Sequence, residues 1–229
     1  MPSVSVENYL KAIWQVQRRT SGRVKTKELA ERLEISLPSV TSMMKSLSEA
    51  GLVDYRPYQG VELTEAGEEA ALRVLRNHRL VELFLVRTLG FTWDEVHIEA
   101  ERLEHAMSDK LADRIDAFLG FPRVDPHGDP IPTRDGRIEP TAGQPLHALA
   151  EGDAGVIERV LDQDPDLLRY LDGLGLRPGA RVTLDGADPF DGPLHLTTLG
   201  GKVAISRSVG ERLLVRADAH DEHHSPTEN

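Results

Sequence analysis

Two histidines and two glutamates recur at helical spacing in one short segment, VHIEAERLEHAMSD (96–109). His97, Glu101, Glu104 and His105 stand at relative positions 0, 4, 7 and 8. At about 100° per residue, their side chains fall within an arc of roughly 100° on one helix face. Imidazoles and carboxylates bind metals, and a cation offsets the repulsion between adjacent carboxylates. The spacing therefore indicates a metal site, with an ordinary solvated helix face as the alternative.

A helix with this polar pattern also needs an apolar face that packs against the rest of the protein. Val96, Ala100, Leu103 and Met107 form an apolar stripe at similar spacing. We therefore expect the carboxylates and imidazoles to lie against a packed surface rather than in open solvent.

The composition restricts the class of protein and the choice of ligands. The chain has 229 residues, 39% hydrophobic and 28% charged, as in a soluble protein of one large or two to three small domains. No apolar run approaches the roughly 18 residues of a membrane span, and the N-terminus lacks a signal-peptide pattern. We expect a cytoplasmic protein with no membrane partner. Because the chain contains no Cys, any metal must be held by His and carboxylates.

Charge is distributed unevenly along the chain. The formal net charge is −11, yet residues 1–60 contain nine Lys or Arg and six Asp or Glu, a local balance of +3. A mildly basic head on an acidic body is compatible with phosphate contact by the head.

The basic head has the pattern of three helices followed by two short strands. Thr26 is the expected N-cap of the second helix, Pro38 lies in the first turn of the third, and Gly51 ends the third. The segments, in chain order, are SVENYLKAIWQVQRR, RVKTKELAERLEIS, PSVTSMMKSLSEAG and LVDYRPYQGVELTEAG. This order predicts a winged helix-turn-helix.

The third of these helices begins with small polar side chains, which permit close approach to base edges and phosphates. A helical hairpin used only for packing is the alternative. Double-stranded DNA is the expected partner. The candidate DNA-contacting residues are Lys27, Ser36, Pro38, Ser39, Thr41, Ser42, Lys45, Arg56 and Tyr58.

The order of these parts resembles the DtxR/MntR family of metal-dependent transcriptional repressors. The stretches that carry the resemblance are ENYLKAIW, KTKELAERLEISLPSVTSMMKSLSEAGLVDY, LTEAGEEAALRVLRNHRLVELFL, VHIEAERLEHAMSDKLADRI and FPRVDPHGDPIP. Similarity extends through about residue 140 and continues more weakly beyond it. The resemblance implies a mainly α fold with small β parts. The expected domains are a winged helix-turn-helix (1–72), a helical metal-binding and dimerisation domain (73–140), an SH3-like small β-barrel (146–217) and a disordered tail (218–229).

The resemblance assigns a primary metal site to Glu101, Glu104, His105 and Asn8. Glu101 occupies the position where iron-responsive members often have Cys and manganese-responsive members have Glu. Asn8 stands where relatives have Met or Asp, and its amide oxygen can still coordinate a hard cation. Lys11 replaces a carboxylate that some manganese regulators use for a second, adjacent metal, which argues against that binuclear arrangement.

A second metal site is also implied by the resemblance, giving two sites per subunit. Its candidate ligands are His78, Glu82, His97, Asp125 and His127, together with Asp164 or Asp166. His78 and Glu82 are four residues apart on one helix and so share a face. In the alternative interpretation, His127 packs in a turn and the acidic residues cap a helix.

The remaining sequence predicts a separate β-rich module. Residues 123–145 are rich in Pro, Gly and Asp, as in an irregular linker. From Leu146 onward, short apolar runs alternate with turns around a DPDLLRYLDGLG helix, which indicates a small barrel similar to the family's SH3-like domain. The tail offers His220, His223 and His224 as ligands, but its composition favours disorder.

The resemblance implies a homodimeric, metal-activated repressor that is not an enzyme and has no organic cofactor. Its two recognition helices would enter major grooves roughly 34 Å apart on a palindromic operator. Oxygen-rich ligands favour Mn²⁺, with Fe²⁺ as the alternative. A carboxylate-bridged metalloenzyme and a repressor that senses an organic ligand are the competing hypotheses. The expected dimer-interface residues are Leu80, Leu83, Phe84, Leu85, Leu89 and Phe91.

Overall fold

The computed structural model describes residues 3–19, 22–140 and 143–218, which form two compact units. The first unit comprises Met1–Gly90, Ile98–Arg123 and Ile131–Glu139, and the second comprises Phe91–His97, Val124–Pro130 and Pro140–Asn229. The tail histidines His220, His223 and His224 lie outside the described residues. No helix of the described ranges combines the length and the apolar character needed to cross a membrane.

The first unit is helical, with one two-stranded wing. Its elements are α1 (Val4–Gln17), α2 (Thr26–Leu33), α3 (Leu37–Glu49), β1 (Val53–Arg56), β2 (Gly60–Leu63), α4 (Glu65–Phe84), most of α5 (Val96–Leu103) and α6 (Asp109–Phe118). The strands β1 and β2 pair antiparallel, which confirms the predicted helix-turn-helix and wing. Its core packs Leu10, Ile13 and Trp14 of α1 against residues of α2, α3, the wing and α4.

Local sequence explains where these helices begin and end. The Ser3 hydroxyl accepts a hydrogen bond from the Val6 N–H at the start of α1, and Ser36 does the same for the Ser39 N–H at the start of α3. Gly51, predicted to end α3, has φ +74, a conformation that favours glycine. The predicted N-cap at Thr26 is wrong by one residue. Lys25 is the cap, because its backbone N–H donates to the Glu28 carboxylate and fixes the first turn one residue earlier.

Helix α5 is shorter than the spacing of its polar residues suggested. It ends at Leu103, and Glu104–Ala106 form a tighter 3₁₀ turn. Val96, Ala100 and Met107 are buried as expected, but Leu103 is 42% exposed. The tighter turn directs Glu104 inward, where it is 1% exposed. Glu104 therefore takes the interior position that was predicted for Leu103.

The second unit is built on one antiparallel sheet. Its strands are β3 (Gln144–Pro145), β4 (Ala154–Val160), β5 (Arg181–Ala187), β6 (Leu194–Thr198), β7 (Gly201–Ile205) and β8 (Leu213–Ala217), in the spatial order β3-β8-β4-β5-β6-β7. Two helices, α7 (Pro165–Gly173) and the short α8 (Arg207–Gly210), interrupt the strands. Trp93, from the segment before α5, is buried in the same apolar core as Leu168 and Leu171 of α7. The predicted small β module and its DPDLLRYLDGLG helix are confirmed, and α8 is a short helix that the sequence analysis did not predict.

Candidate metal centre

Two carboxylates of the α5 region converge on one buried ammonium. Lys11, on α1, places its Nζ 2.6 Å from Glu101 Oε1 and 2.7 and 2.9 Å from the two oxygens of Glu104. The side chains of Lys11 and Glu104 are 8% and 0% exposed, whereas Glu101 is 37% exposed. The cation that offsets the glutamate repulsion is therefore part of the chain. We call Lys11, His78, Glu82, Glu101 and Glu104 the central cluster.

His78 links the central cluster to the interior of α4. Its Nδ1 lies 2.5 Å from Glu104 Oε2, and its Nε2 lies 3.0 Å from Glu82 Oε1, one turn further along α4. Burial by itself lowers the pKa of His78, but the carboxylates of Glu82 and Glu104 outweigh it and raise the pKa to about 9. At neutral pH His78 is therefore a second cation among these carboxylates. The structure joins His78, a predicted second-site residue, to Glu104, a predicted primary-site residue.

His105 faces Glu104 from the same 3₁₀ turn and is oriented by α1. Its Nδ1–H donates to Glu7 Oε2 at 2.6 Å, and Arg73 of α4 lies 3.3 Å from the other oxygen of Glu7. In the neutral imidazole the lone pair is then on Nε2, which lies 3.1 Å from Glu104 Oε1. Two electron-rich atoms thus face each other, as ligands of one cation do.

The buried acceptor atoms of this region fit a metal ion. Within the described residues, no group hydrogen-bonds to Asn8 Oδ1 or to His105 Nε2, although both atoms are buried. Buried polar atoms are normally satisfied, so an acceptor pair of this kind is consistent with a ligand role. Asn8, Glu101, Glu104 and His105 offer oxygen and imidazole donors and no sulfur. The donor set suits a hard or borderline divalent cation.

In the second unit, Asp125 and His127 occupy the loop that the sequence predicted as a ligand source. Asp125 Oδ1 accepts hydrogen bonds from the N–H groups of His127 and Asp129, at 2.8 and 2.9 Å. His127 Nε2 donates to the Trp93 carbonyl at 2.7 Å, and its ring stacks on Trp93 with centroids 5.9 Å apart. Because Nε2 carries the proton, the lone pair of the neutral ring is on Nδ1, a possible ligand atom.

A glycine allows this loop to approach strand β4 closely. Gly128 has φ +85, and a Cβ there would lie 1.9 Å from the Glu158 carbonyl oxygen. The His127 carbonyl accepts from the Val160 N–H at 2.9 Å, which fixes the loop on the sheet. The side chain of His127 is therefore held in one position by its neighbours on both sides.

Two other predicted ligands have different surroundings in the second unit. His97 lies half-buried in the first turn of α5. Asp164 is exposed and caps α7, with its Oδ1 accepting from the Asp166 and Leu167 N–H groups at 3.0 Å each. The helix-cap alternative thus describes Asp164. Ligand roles for His97, Asp125, His127 and Asp164 stay predictions.

The predicted DNA-contacting residues are at the surface of α2, α3 and the wing. Ser39, Ser42 and Lys45 are exposed along α3, and Thr41 is half-buried, with its hydroxyl bonded to the Leu37 carbonyl at 2.9 Å. Pro38 is exposed in the first turn of α3, beside the capping residue Ser36. The DNA-contact roles of these residues stay predictions.

The other three candidates lie on α2 and at the wing. Lys27 is 81% exposed and lies 3.7 Å from Glu31. Tyr58, at the wing tip, is fully exposed with φ +65, and Arg56 lies 3.1 Å from Asp54.

Three residues organise these surfaces without having been predicted to do so. Arg23 bonds to Asp54 and lies 3.1 Å from Glu62, which links the chain before α2 to both wing strands. Glu7 orients His105, and Lys11, noted in the sequence only as a replaced ligand, occupies the centre of the cluster. The contacts of α1 with α5 and with the 3₁₀ turn span 90 to 98 residues of sequence, so residue spacing carries no signal for them.

The six predicted dimer-interface residues differ in exposure: Leu89 is 60% exposed, Phe84 and Phe91 are half-buried, and the three others are buried. Leu80, Leu83 and Leu85 are buried within the protomer itself, so the expectation that they pack against a partner is wrong. They face inward because α4 is covered on several sides by its own chain. The large apolar residues exposed shortly after α4, on α6 and just after α6 are Leu89, Leu111, Phe118 and Phe121.

Family models cover most of the chain. Residues 1–61 match the N-terminal DNA-binding domain of the iron dependent repressors, and residues 64–133 match their metal binding and dimerisation domain. Residues 144–217 match the FeoA domain.

Individual proteins are similar over nearly the whole length. The iron-dependent repressor IdeR of Mycobacterium tuberculosis is 35% identical over 216 residues, which is 88% of this chain and 87% of that protein. The diphtheria toxin repressor of Corynebacterium efficiens is 30% identical over 190 residues, 79% of this chain and 82% of that protein. A manganese-dependent transcriptional repressor solved in complex with manganese is 42% identical, with a TM-score of 0.82 over 92% of this chain and 98% of its own. The structure of the manganese regulator SloR is 32% identical, with a TM-score of 0.72 over 93% and 98%.

Proposed function

Because the chain belongs to the DtxR family of metal-dependent transcriptional repressors, we propose that Mn²⁺ activates it to bind operator DNA and repress genes of metal-ion homeostasis. The observation that carries the choice of metal is the donor set. Glu101 stands beside Glu104 and His105, and the chain contains no Cys. Oxygen donors suit Mn²⁺, whereas thiolates favour later metals.

The proposed primary ligands are Asn8, Glu101, Glu104 and His105. When bound, the ion supplies a divalent charge that accepts lone pairs from α1 and from the 3₁₀ turn at the same time. Asn8 contributes the link to α1 through its buried amide oxygen. Glu7 holds the His105 ring so that Nε2, rather than Nδ1, is the ligand atom. A coupling of about 1–3 kcal/mol between metal and DNA binding is usual for such switches.

The DNA complex in this proposal is a homodimer on a palindromic operator. Ser39, Ser42 and Lys45 of α3 enter the major groove, while Arg56 and Tyr58 of the wing reach phosphates. The exposed side chains of Leu89, Leu111, Phe118 and Phe121 are better candidates for the dimer interface than the three leucines buried within the protomer. Phe118→Asp would then convert the protein to a monomer in sedimentation analysis, whereas Phe190→Asp, an exposed control in the second unit, would not.

The alternative within the family is activation by Fe²⁺, which the similarity to IdeR favours. Affinity alone does not distinguish the metals, because Fe²⁺ generally binds such sites at least as tightly as Mn²⁺. The test is anaerobic operator binding titrated with each metal, together with reporter repression in cells supplied with each. Repression that follows iron and ignores manganese would contradict the choice of Mn²⁺. Equilibrium dialysis measures whether each subunit binds two ions, as the sequence resemblance predicts.

Two functions outside this proposal have their own test. A metalloenzyme would use the carboxylates for catalysis, and a sensor of an organic ligand would bind DNA without metal. Family membership favours a repressor that is not an enzyme. A gel shift with and without chelator separates these hypotheses, since operator binding that survives the removal of every metal would contradict metal activation.

A further inference from the structure

The side chain at the centre of the proposed primary site is itself a cation. Lys11 Nζ makes three contacts of 2.6 to 2.9 Å with Glu101 and Glu104, the two carboxylates assigned to the metal. Lys11 is almost completely buried, so its ammonium has lost most of its hydration. The contacts with the carboxylates are the main compensation for that loss. An ion pair of this kind is a defined arrangement rather than a fluctuating surface contact.

A metal ion and this ammonium require the same lone pairs. Lys11 engages both oxygens of Glu104, whose side chain is fully buried. A divalent ion bound to the same oxygens would lie within a few ångströms of Nζ, and the two positive charges would repel each other. The carboxylates can therefore be shared between them only at a large cost in free energy.

We infer that Lys11 is a built-in competitor of the metal. Its ammonium occupies Glu101 and Glu104 in the metal-free protein and must withdraw from them when the ion binds, so that Lys11 raises the metal concentration at which the protein responds. This inference rests on the proposed function, because it takes the primary ligands from there. It also gives Lys11 a structural role in the metal-free protein, where the ammonium links α1 to the 3₁₀ turn.

The test must separate direct competition from the general field of a nearby positive charge. Lys11→Met removes the charge and preserves the length of the side chain, whereas Lys11→Arg preserves the charge. Arg32→Gln is the matched control for the field. Arg32, on α2, is a cation that interacts electrostatically with Glu101 and hydrogen-bonds to Gln15, and it has no described hydrogen bond or ion pair with a proposed ligand.

The first measurement is calorimetric titration of the full-length, metal-free protein with Mn²⁺ alone. We expect Lys11→Met to tighten binding by roughly tenfold or more, Lys11→Arg to keep an affinity near that of the wild type, and Arg32→Gln to change it by less than about threefold. The same titration is carried out on Lys11→Gln. Its amide can still donate to the carboxylates, so this variant should disturb folding less than Lys11→Met does.

The second measurement is thermal unfolding with chelator and with saturating Mn²⁺. Removal of the ammonium leaves Glu104 buried without one of its cations, so Lys11→Met should melt below the wild type in chelator. The increase in melting temperature on adding Mn²⁺ should be larger in Lys11→Met than in the wild type, because tighter binding stabilises more.

Two results would overturn the inference. One is a Lys11→Met protein that binds Mn²⁺ no more tightly than the wild type, and the other is an Arg32→Gln protein that gains as much affinity as Lys11→Met. If the wild type bound no divalent metal at all, the proposed function would fail and this inference with it. A wild type that binds metal with an affinity insensitive to Lys11 would overturn the inference alone.

Discussion

The central cluster and the surface of α3 are two polar regions of one unit with opposite physical character. In the cluster, Lys11, His78 and Glu104 are buried and each is held by groups from another element. On α3, Ser39 and Lys45 are exposed. A charge removed from the cluster leaves its partner uncompensated, whereas one removed from α3 leaves a solvated surface. Changes in the cluster should therefore be large and non-additive, and those on α3 small and additive.

The largest effect is expected for the substitution Glu104→Gln in the central cluster. The substitution preserves shape but removes the charge that compensates Lys11 and His78, so we expect the metal-free protein to lose about 3 kcal/mol of unfolding free energy. It should also abolish the gain in operator affinity on adding metal, because Glu104 is a proposed ligand. Urea unfolding in chelator and fluorescence anisotropy with labelled operator measure the two effects.

Glu99→Gln is the control for this substitution. Glu99 lies on α5, one turn before Glu104, but its partner Arg102 is exposed, so the change should cost less than about 1 kcal/mol. A Glu104→Gln protein that retained metal-dependent operator binding would remove Glu104 from the ligand set. One as stable as Glu99→Gln would contradict the contrast between the two regions.

The next largest effect is the pH dependence that His78 gives to the metal-free protein. Its pKa in the folded protein is about 9, above the ordinary value of 6.5, so the folded state binds the proton more tightly than the unfolded state. The resulting stabilisation, about 3 kcal/mol, is fully present below pH 6.5 and is lost as the pH rises through about 9.

Chemical denaturation in chelator at intervals from pH 6 to 9.5 measures this loss. His78→Gln cannot take up the proton, so its unfolding free energy should fall less over the same range. Equal slopes for the variant and the wild type would mean that His78 is not a cation of the cluster at neutral pH.

The sequence predicted the elements of the fold much better than the contacts of the site. The helix-turn-helix, the wing and the β module follow from local signals such as Ser36 at a helix start and Gly51 at a helix end. The site also followed in part, since the face shared by Glu101 and Glu104 was read from spacing. Helical spacing assumes one regular helix, however, so it missed the 3₁₀ turn that carries Glu104 inward. The central position of Lys11 depends on packing between α1 and α5, for which a single sequence has no local signal.

On the exposed side of the comparison, Lys45→Ala should weaken operator binding without changing the fold. Lys45 is exposed on α3, so its loss leaves no buried partner. If it contacts a phosphate, the slope of log K against log salt should become shallower by about 0.9 per protomer, for all sequences alike. Titrations at several salt concentrations with saturating metal measure the slope, with Ser48→Ala, near the end of the same helix, as control. An unchanged slope would exclude Lys45 from the phosphate contacts.

The smallest effect expected is at Ser36, whose hydroxyl caps α3 and is also a predicted DNA contact. Its Oγ accepts from the Ser39 N–H at 3.4 Å and lies 2.8 Å from the Ser39 hydroxyl. At that length the cap is weak, so Ser36→Ala should cost about 0.5–1 kcal/mol of unfolding free energy.

Ser36→Asp separates the two roles of this hydroxyl. Asp also caps helices, and its charge is favourable at a helix N-terminus, so the protein should be at least as stable as the wild type. If Ser36 lies against DNA, the same charge faces phosphate and operator affinity should fall several-fold, more steeply at low salt. Unfolding in urea and anisotropy at two salt concentrations measure both quantities on one sample. A stable Ser36→Asp protein with wild-type operator affinity would make Ser36 a cap alone and would move the DNA-contacting face of α3 away from its N-terminal end.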